Sequence, residues 1–175
     1  MKRALIFVAG VALVAIVVHV GFVREMPRLI MSKVVSKVAE GAEANEFRHP
    51  PLPTATARGV VRPSPDLAYS VCALDLGKGP VHVTVPLTAP YTSVALYSAT
   101  TDNYFARNDR EADGKPLDIV IVGPGATPPT NVPAGAEVVG APTAKGLVLV
   151  RRVVESAAAY PALDAVRKTA VCAPL

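Results

Sequence analysis

Val81-His82-Val83-Thr84-Val85 alternates apolar and polar residues without a break. A period of two puts the three valines on one side of an extended strand and His82 and Thr84 on the other. One face of a sheet is therefore covered and the other meets solvent. Outward from this strand the same grammar repeats. Upstream, residues 67–76 form a β-prone run closed by the turn Gly77-Lys78-Gly79-Pro80. Downstream, Pro86 and Pro90 bracket the exit, residues 92–100 form the next strand, and Thr101-Asp102-Asn103 turns into Tyr104-Phe105. Asp113-Gly114-Lys115-Pro116 precedes Leu117–Val122, which is apolar on both faces and so central in a sheet. Residues 123–135, with four prolines and three glycines, read as a loop. Residues 137–140 and 146–154 are the last strands. Tyr160-Pro161-Ala162-Leu163-Asp164-Ala165-Val166 opens the one helix of the domain, expected to end near Cys172. Strands at this spacing, without helices between them, predict a mainly β domain: an antiparallel β-sandwich or barrel-like fold with one C-terminal helix.

The composition of the 175 residues agrees. Hydrophobic residues make up 51% and charged ones 18%, which excludes a disordered chain. Seventeen prolines, twelve glycines and no tryptophan suit short punctuated elements. The net charge of +4 is confined to one end: residues 1–58 hold eight Lys/Arg against four Asp/Glu, and residues 59–175 hold ten of each. A nucleic-acid binder gathers basic residues on its folded face. This domain is balanced, so no nucleic-acid partner is expected.

Residues 4–23 carry no charge and are interrupted only by Gly10, His19 and Gly21. At 1.5 Å per residue such a helix spans about 30 Å, the hydrocarbon thickness of a bilayer. The apolar run is longer than the core of a cleaved signal peptide; Val20-Gly21-Phe22 does not resemble a small-x-small site, and Ala42-Glu43-Ala44 lies far beyond the core. Residues 1–24 are therefore read as an uncleaved transmembrane signal anchor, with the lipid bilayer as partner. Pro27 fits the first turn of a new helix. Over residues 25–45, Ile30, Met31, Val34, Val35, Val38 and Ala42 fall on one side, opposite Arg28, Ser32, Lys33, Ser36, Lys37, Glu40 and Glu43. This amphipathic juxtamembrane helix is expected along the lipid headgroups, with its own domain or a partner as the other surface it fits. Residues 46–61, with Pro50, Pro51 and Pro53, read as an extended spacer. Orientation is contested. Arg24, Arg28, Lys33 and Lys37 follow the span, and counted strictly they hold the domain in the cytoplasm. The short basic N-terminal tail and the cysteine pair favour export. The expectation is a single-pass bacterial inner-membrane protein with a periplasmic C-terminal domain.

No catalytic constellation emerges. His19, His49 and His82 are far apart, and Cys72 and Cys172 form no CxxC, so neither a metal nor a cofactor is expected. There is no G-x-S-x-G elbow, and His82 reads as the polar face of a strand. Gly123-Pro124-Gly125 lacks the spacing of a dinucleotide loop. The most polar stretch, residues 102–111, offers Asp102, Asn103, Tyr104, Arg107, Asp109 and Arg110. Such groups suit recognition of a small polar ligand or acid–base work, and equally a solvated hairpin with self-satisfying turn bonds. Arg151 and Arg152 alternate across an apolar strand, so one points inward and needs an acid partner. Cys72, in the first strand, and Cys172, in the terminal helix, are either buried thiols or a bridge closing a loop of about 100 residues.

Residues 61–70 (Val61-Arg62-Pro63-Ser64-Pro65-Asp66-Leu67-Ala68-Tyr69-Ser70), Leu74-Asp75-Leu76 and Gly79-Pro80-Val81 resemble the opening of the bacterial domain of unknown function 1254 family. Thr101-Asp102-Asn103-Tyr104-Phe105, Val122-Gly123-Pro124-Gly125, Pro133-Ala134-Gly135, Ala141-Pro142-Thr143 and Gly146-Leu147-Val148-Leu149-Val150-Arg151-Arg152 continue the likeness in order. It covers residues 59–171. The resemblance implies an all-β domain, often exported, with no general activity established. Longer relatives carry a second all-β domain after this one, which implies a separate, membrane-anchored companion β-domain protein as partner here. The function expected is an interaction or binding module; the alternative is an envelope hydrolase acting on small polar substrates near residues 102–111.

Overall fold

The computed structural model describes residues 1–40, 43–54, 56 and 63–175. Ala42, and residues 55 and 57–62 around the expected spacer and domain start, lie outside them. The first element is one unbroken helix, α1 (Lys2–Ala39), with Pro27 inside it. The expected break into an anchor and a separate juxtamembrane helix is not there. Extending an existing helix past one lost hydrogen bond is easier than nucleating a new helix. Beside the proline, Arg28 Nη1 donates to Arg24 O (3.3 Å) and to Glu25 Oε1 (2.9 Å). The most apolar 18-residue window of Lys2–Lys37 has a mean hydropathy of 2.7, and none of it is buried. The helix is long and apolar enough to cross a membrane.

Two sheets follow. The first has the order β1 (Phe47–Arg48), β2 (Leu67–Asp75), β8 (Lys145–Val153), β4 (Thr92–Ser98) and β5 (Asn103–Asn108). The second has the order β7 (Glu137–Gly140), β6 (Leu117–Val122), β3 (Val81–Val85) and β9 (Val171–Pro174). They stack as an open sandwich and do not close into a barrel. Val81, Val83 and Val85 face Cys72, Leu74, Val94, Leu96, Val148 and Val150 across the core. Every ladder is antiparallel except β6–β7, which the long crossover of residues 123–136 makes parallel. β6 lies between β7 and β3, and of its six residues only Asp118 is not buried. Gly146 is obligatory in β8: a Cβ there would lie 2.4 Å from Tyr97 O on the neighbouring strand.

Three boundaries depart from expectation. The supposed spacer begins as sheet, because Asn45 Oδ1 accepts from Asp75 N (2.8 Å) and its Nδ2 donates to Asp75 O (3.0 Å). That clamp lays β1 on the edge of β2 and buries Phe47 in the core. The C-terminal helix α2 (Tyr160–Arg167) ends before Cys172. The chain then pairs with the open edge of β3, so Cys172 lies on strand β9 with its side inward. Finally, α1 does not leave its apolar side free for headgroups. Its C-terminal part contacts β2 and β8, where Met31 is buried and Val34 and Val35 are half-buried, although Leu29 and Ile30 stay exposed. The surface it meets is the outer face of the first sheet, on which alternation places Ala73, Ala95 and Leu147; all three are buried.

Candidate functional site

The stretch 102–111 closes one edge of the sandwich. Asp102 Oδ2 accepts from Thr100 Oγ1 (2.5 Å) and Ser98 Oγ (3.3 Å), locking the turn between β4 and β5. Asn103 opens β5 and is exposed. Tyr104 is half-buried, and burial pushes its hydroxyl up to about 12, so it stays protonated. Arg107 lies 4.9 Å over the Phe105 ring and holds Glu137 of β7 through two bonds of 3.1 and 2.8 Å, joining the edges of the two sheets. Asn108 and Glu111 form a capping box, Asp109 Oδ1 accepts from Thr92 N (3.4 Å), and the Arg110 backbone N–H donates to Asn108 Oδ1 (2.9 Å). The side chains of Asp102, Asn108, Asp109 and Glu111 serve turns and caps, and that of Arg107 an edge ion pair.

A second polar group sits on the outer face of the second sheet. Register pairs Thr84 with Asp118, with His82 one step diagonal to them. His82 Nε2 lies 2.5 Å from Asp118 Oδ1 and 3.3 Å from Thr84 Oγ1, and Thr84 Oγ1 donates to Asp118 Oδ1 (3.2 Å). In a nucleophilic triad the acid orients one ring nitrogen while the nucleophile addresses the other. Here acid and hydroxyl meet the same nitrogen, so a ring donating to Asp118 has no lone pair left there to activate Thr84. The trio is a hydrogen-bonded polar cluster on that face. Sequence placed His82 outward but missed its partner 36 residues away; the signal was Asp118, the one polar residue inside Leu117–Val122. Among the described residues, no three His, Cys, Asp or Glu side chains gather as metal ligands.

The third cluster lies where α2 covers the end of the sandwich. Arg167 is 1% exposed. Its Nη1 donates to Pro50 O (2.9 Å) and Tyr69 O (2.8 Å), its Nε to Asp164 Oδ1 (2.9 Å) and its Nη2 to Asp164 and to Tyr160 Oη (3.1 Å). Lys168 Nζ takes the other carboxylate oxygen at 2.6 Å. The Lys168 hydrogen bond and then Arg167 hold the Asp164 carboxyl down to about 2, against a smaller upward push from burial. His49 Nδ1 bonds Ser70 Oγ (2.9 Å); burial first, and then the Arg167 and Arg152 charges, lower its pKa. Arg152 is the inward arginine of the pair in β8, whereas Arg151 turns out to bond Tyr97 Oη (3.0 Å). The expected acid partner of Arg152 is absent among the described residues. Its Nη2 donates to Pro86 O (3.0 Å), and Nε and Nη1 meet no acceptor.

The sequence model of the family described as "Protein of unknown function (DUF1254)" matches residues 44–174. The chain belongs to the DUF1254 family. The match begins at the Asn45 clamp rather than at residue 59, in keeping with β1 being part of the DUF1254 domain. The crystal structure of the VPA0106 protein from Vibrio parahaemolyticus superposes with a TM-score of 0.61 at 15% identity, over 89% of this chain and 38% of that one. An uncharacterised protein from Burkholderia cenocepacia shares 21% identity over 87% of this chain and 39% of its own, with a TM-score of 0.48. The first likeness shows the shared fold. The DUF1254 chain thus spans well under half the length of the solved structures it matches. No curated protein matches its sequence.

Proposed function

We propose that this chain is a single-pass membrane protein of the bacterial inner membrane whose sandwich stands in the periplasm as a binding module and pairs with a companion β-domain protein. The observation that carries the reading is the docking of α1. The apolar helix and the first sheet form one unit, so the outer face of the second sheet is the one turned to a partner. That face presents His82, Thr84 and Asp118, flanked by Val138 (39% exposed) and Val171 (47% exposed). Apolar residues around a small hydrogen-bonded polar centre suit a protein surface better than a substrate cleft. The bond between Cys72 and Cys172 supports an oxidising compartment, and therefore export, against the basic residues that follow the span. Binding is favoured over hydrolysis because the carboxylates of residues 102–111 are engaged in turns and caps.

The test is purification of the complex from detergent-solubilised membranes, with partners identified by sequencing. The wild-type chain is expected to bring down a membrane protein with an all-β domain. The double variant His82→Ala/Asp118→Ala should recover at least about tenfold less, the equivalent of about 1.4 kcal/mol, while Arg110→Ala, in the turn after β5, recovers as much as wild type. Equal recovery by the double variant, or no such protein with wild type, overturns the reading.

A further inference from the structure

Strand β1 is two residues long and pairs with β2 alone, at Phe47↔Cys72 and Arg48↔Val71. So short a ladder does not hold an edge strand by itself. Three further contacts fasten it: the Asn45 clamp before it, the Phe47 side chain in the core, and the bond from Arg167 to Pro50 O after it. His49 lies between the last two. Its ring stands 6.0 Å from that of Phe47, and its Nδ1 lies 2.9 Å from Oγ of the fully buried Ser70 on β2. The ring is half-buried, so solvent protons reach it. The charges around it are mostly of one sign. α2 brings Arg167 and Asp164, with Lys168 at its end, and β8 brings Arg152; Tyr160 enters as a hydroxyl accepting from Arg167. Asp164 is already bonded by Arg167 and Lys168, and among the described residues Arg152 has no acid. A charge on the ring would face three cations, two of them buried, with one carboxylate to answer them all. The Nδ1 of a protonated ring could also only donate to Ser70.

We infer that His49 is a proton-operated latch: neutral, it keeps β1 on the edge of β2; protonated, it lets β1 and Pro50 lift while the rest of the sandwich stays folded. The release uncovers the backbone edge of β2 at Val71 and Cys72 and the seat of Phe47 in the core. An open strand edge is a surface on which another strand pairs. The direction is set by burial and by the Arg167 and Arg152 charges, which hold the folded His49 below the usual histidine value of 6.5. Its contribution is therefore whole above 6.5 and is lost as pH falls below that value. Asp164, held at about 2, keeps its charge throughout this window.

The test is amide hydrogen exchange of the full chain in a non-ionic detergent, read by mass spectrometry of peptic fragments at pH about 7.5 and about 5. After correction for intrinsic exchange, residues 45–50 are expected to open at least about fivefold more at the lower pH. Residues 117–122 of β6 should be unchanged. His49→Gln keeps a hydrogen-bonding side chain and takes no proton, so it should remove the difference. Arg152→Met takes away one of the facing charges and should shrink it, which keeps the test valid if the glutamine variant fails to fold. The inference is overturned if residues 45–50 are equally protected at the two pH values, if the full difference survives in either variant, or if residues 117–122 loosen in parallel.

Discussion

Replacing Cys72 and Cys172 together by alanine is expected to lower the stability of the domain by about 2–5 kcal/mol, the usual range for a native bridge. The pair joins the first sheet to the second across a sequence separation of 100 residues, with a Cα–Cα distance of 6.7 Å. Its effect is large for two reasons. The bridge closes nearly the whole domain into one loop, which restricts the unfolded chain. It also fastens β9, a short edge strand held otherwise by four residue pairs to β3, and with it α2 just upstream. Urea unfolding of the double variant beside wild type measures this. A midpoint displaced downward with the slope largely kept is the expected result; an unchanged midpoint would mean that packing alone fixes β9.

The second large effect separates two buried arginines that look alike in sequence. Arg167→Met is expected to cost about 3–5 kcal/mol, because it strips the donors from Pro50 O, Tyr69 O and Asp164 at once. Those bonds tie the segment after β1, strand β2 and α2 into one corner. Arg152→Met should be neutral or stabilising, since it removes a buried charge that has one backbone acceptor and no acid. Burial, and next the charge of Arg167, already lower Arg152 to about 10. The ion pair at Asp164 also sets an acid limit. A carboxyl held at about 2 in the folded protein, below its unfolded value, stabilises fully at neutral pH and loses that contribution as pH falls from about 4 towards 2. Chemical denaturation of both variants at neutral pH decides the matter: equal losses would contradict the assignment of Arg167 as clamp and Arg152 as orphan.

How much of this was legible follows from where each signal lies. Val81–Val85 and Leu117–Val122 announced themselves because period and burial are local properties, and both are strands within the bounds read from sequence. β1 was hidden because two residues carry no period; its evidence is the Asn45 clamp on Asp75, a contact across 30 residues. β9 was read as the tail of a helix because a four-residue run after Arg167 says little until the free edge of β3 is known. The polar stretch 102–111 was legible as polar, but whether carboxylates bind a ligand or close a turn depends on Ser98, Thr92 and Glu137, which only the fold brings near. The apolar side of α1 was legible too. Its seat on β2 and β8 was not, because nothing local shows that the outer face of the first sheet carries alanines and a leucine. Arg152 illustrates the same limit from the other side: alternation marked an inward arginine, and the expected acid did not follow.

The central claim is that α1 stays on the chain, spans the bilayer and carries the sandwich docked against its C-terminal part. The most direct measurement is sedimentation of membranes after an alkaline carbonate wash, with the intact mass of the chain read in each fraction. The chain should remain in the pellet at the mass of Met1–Leu175 and leave it only with detergent. Recovery of that intact chain in the wash, or of a shortened chain starting beyond the helix, would contradict the account.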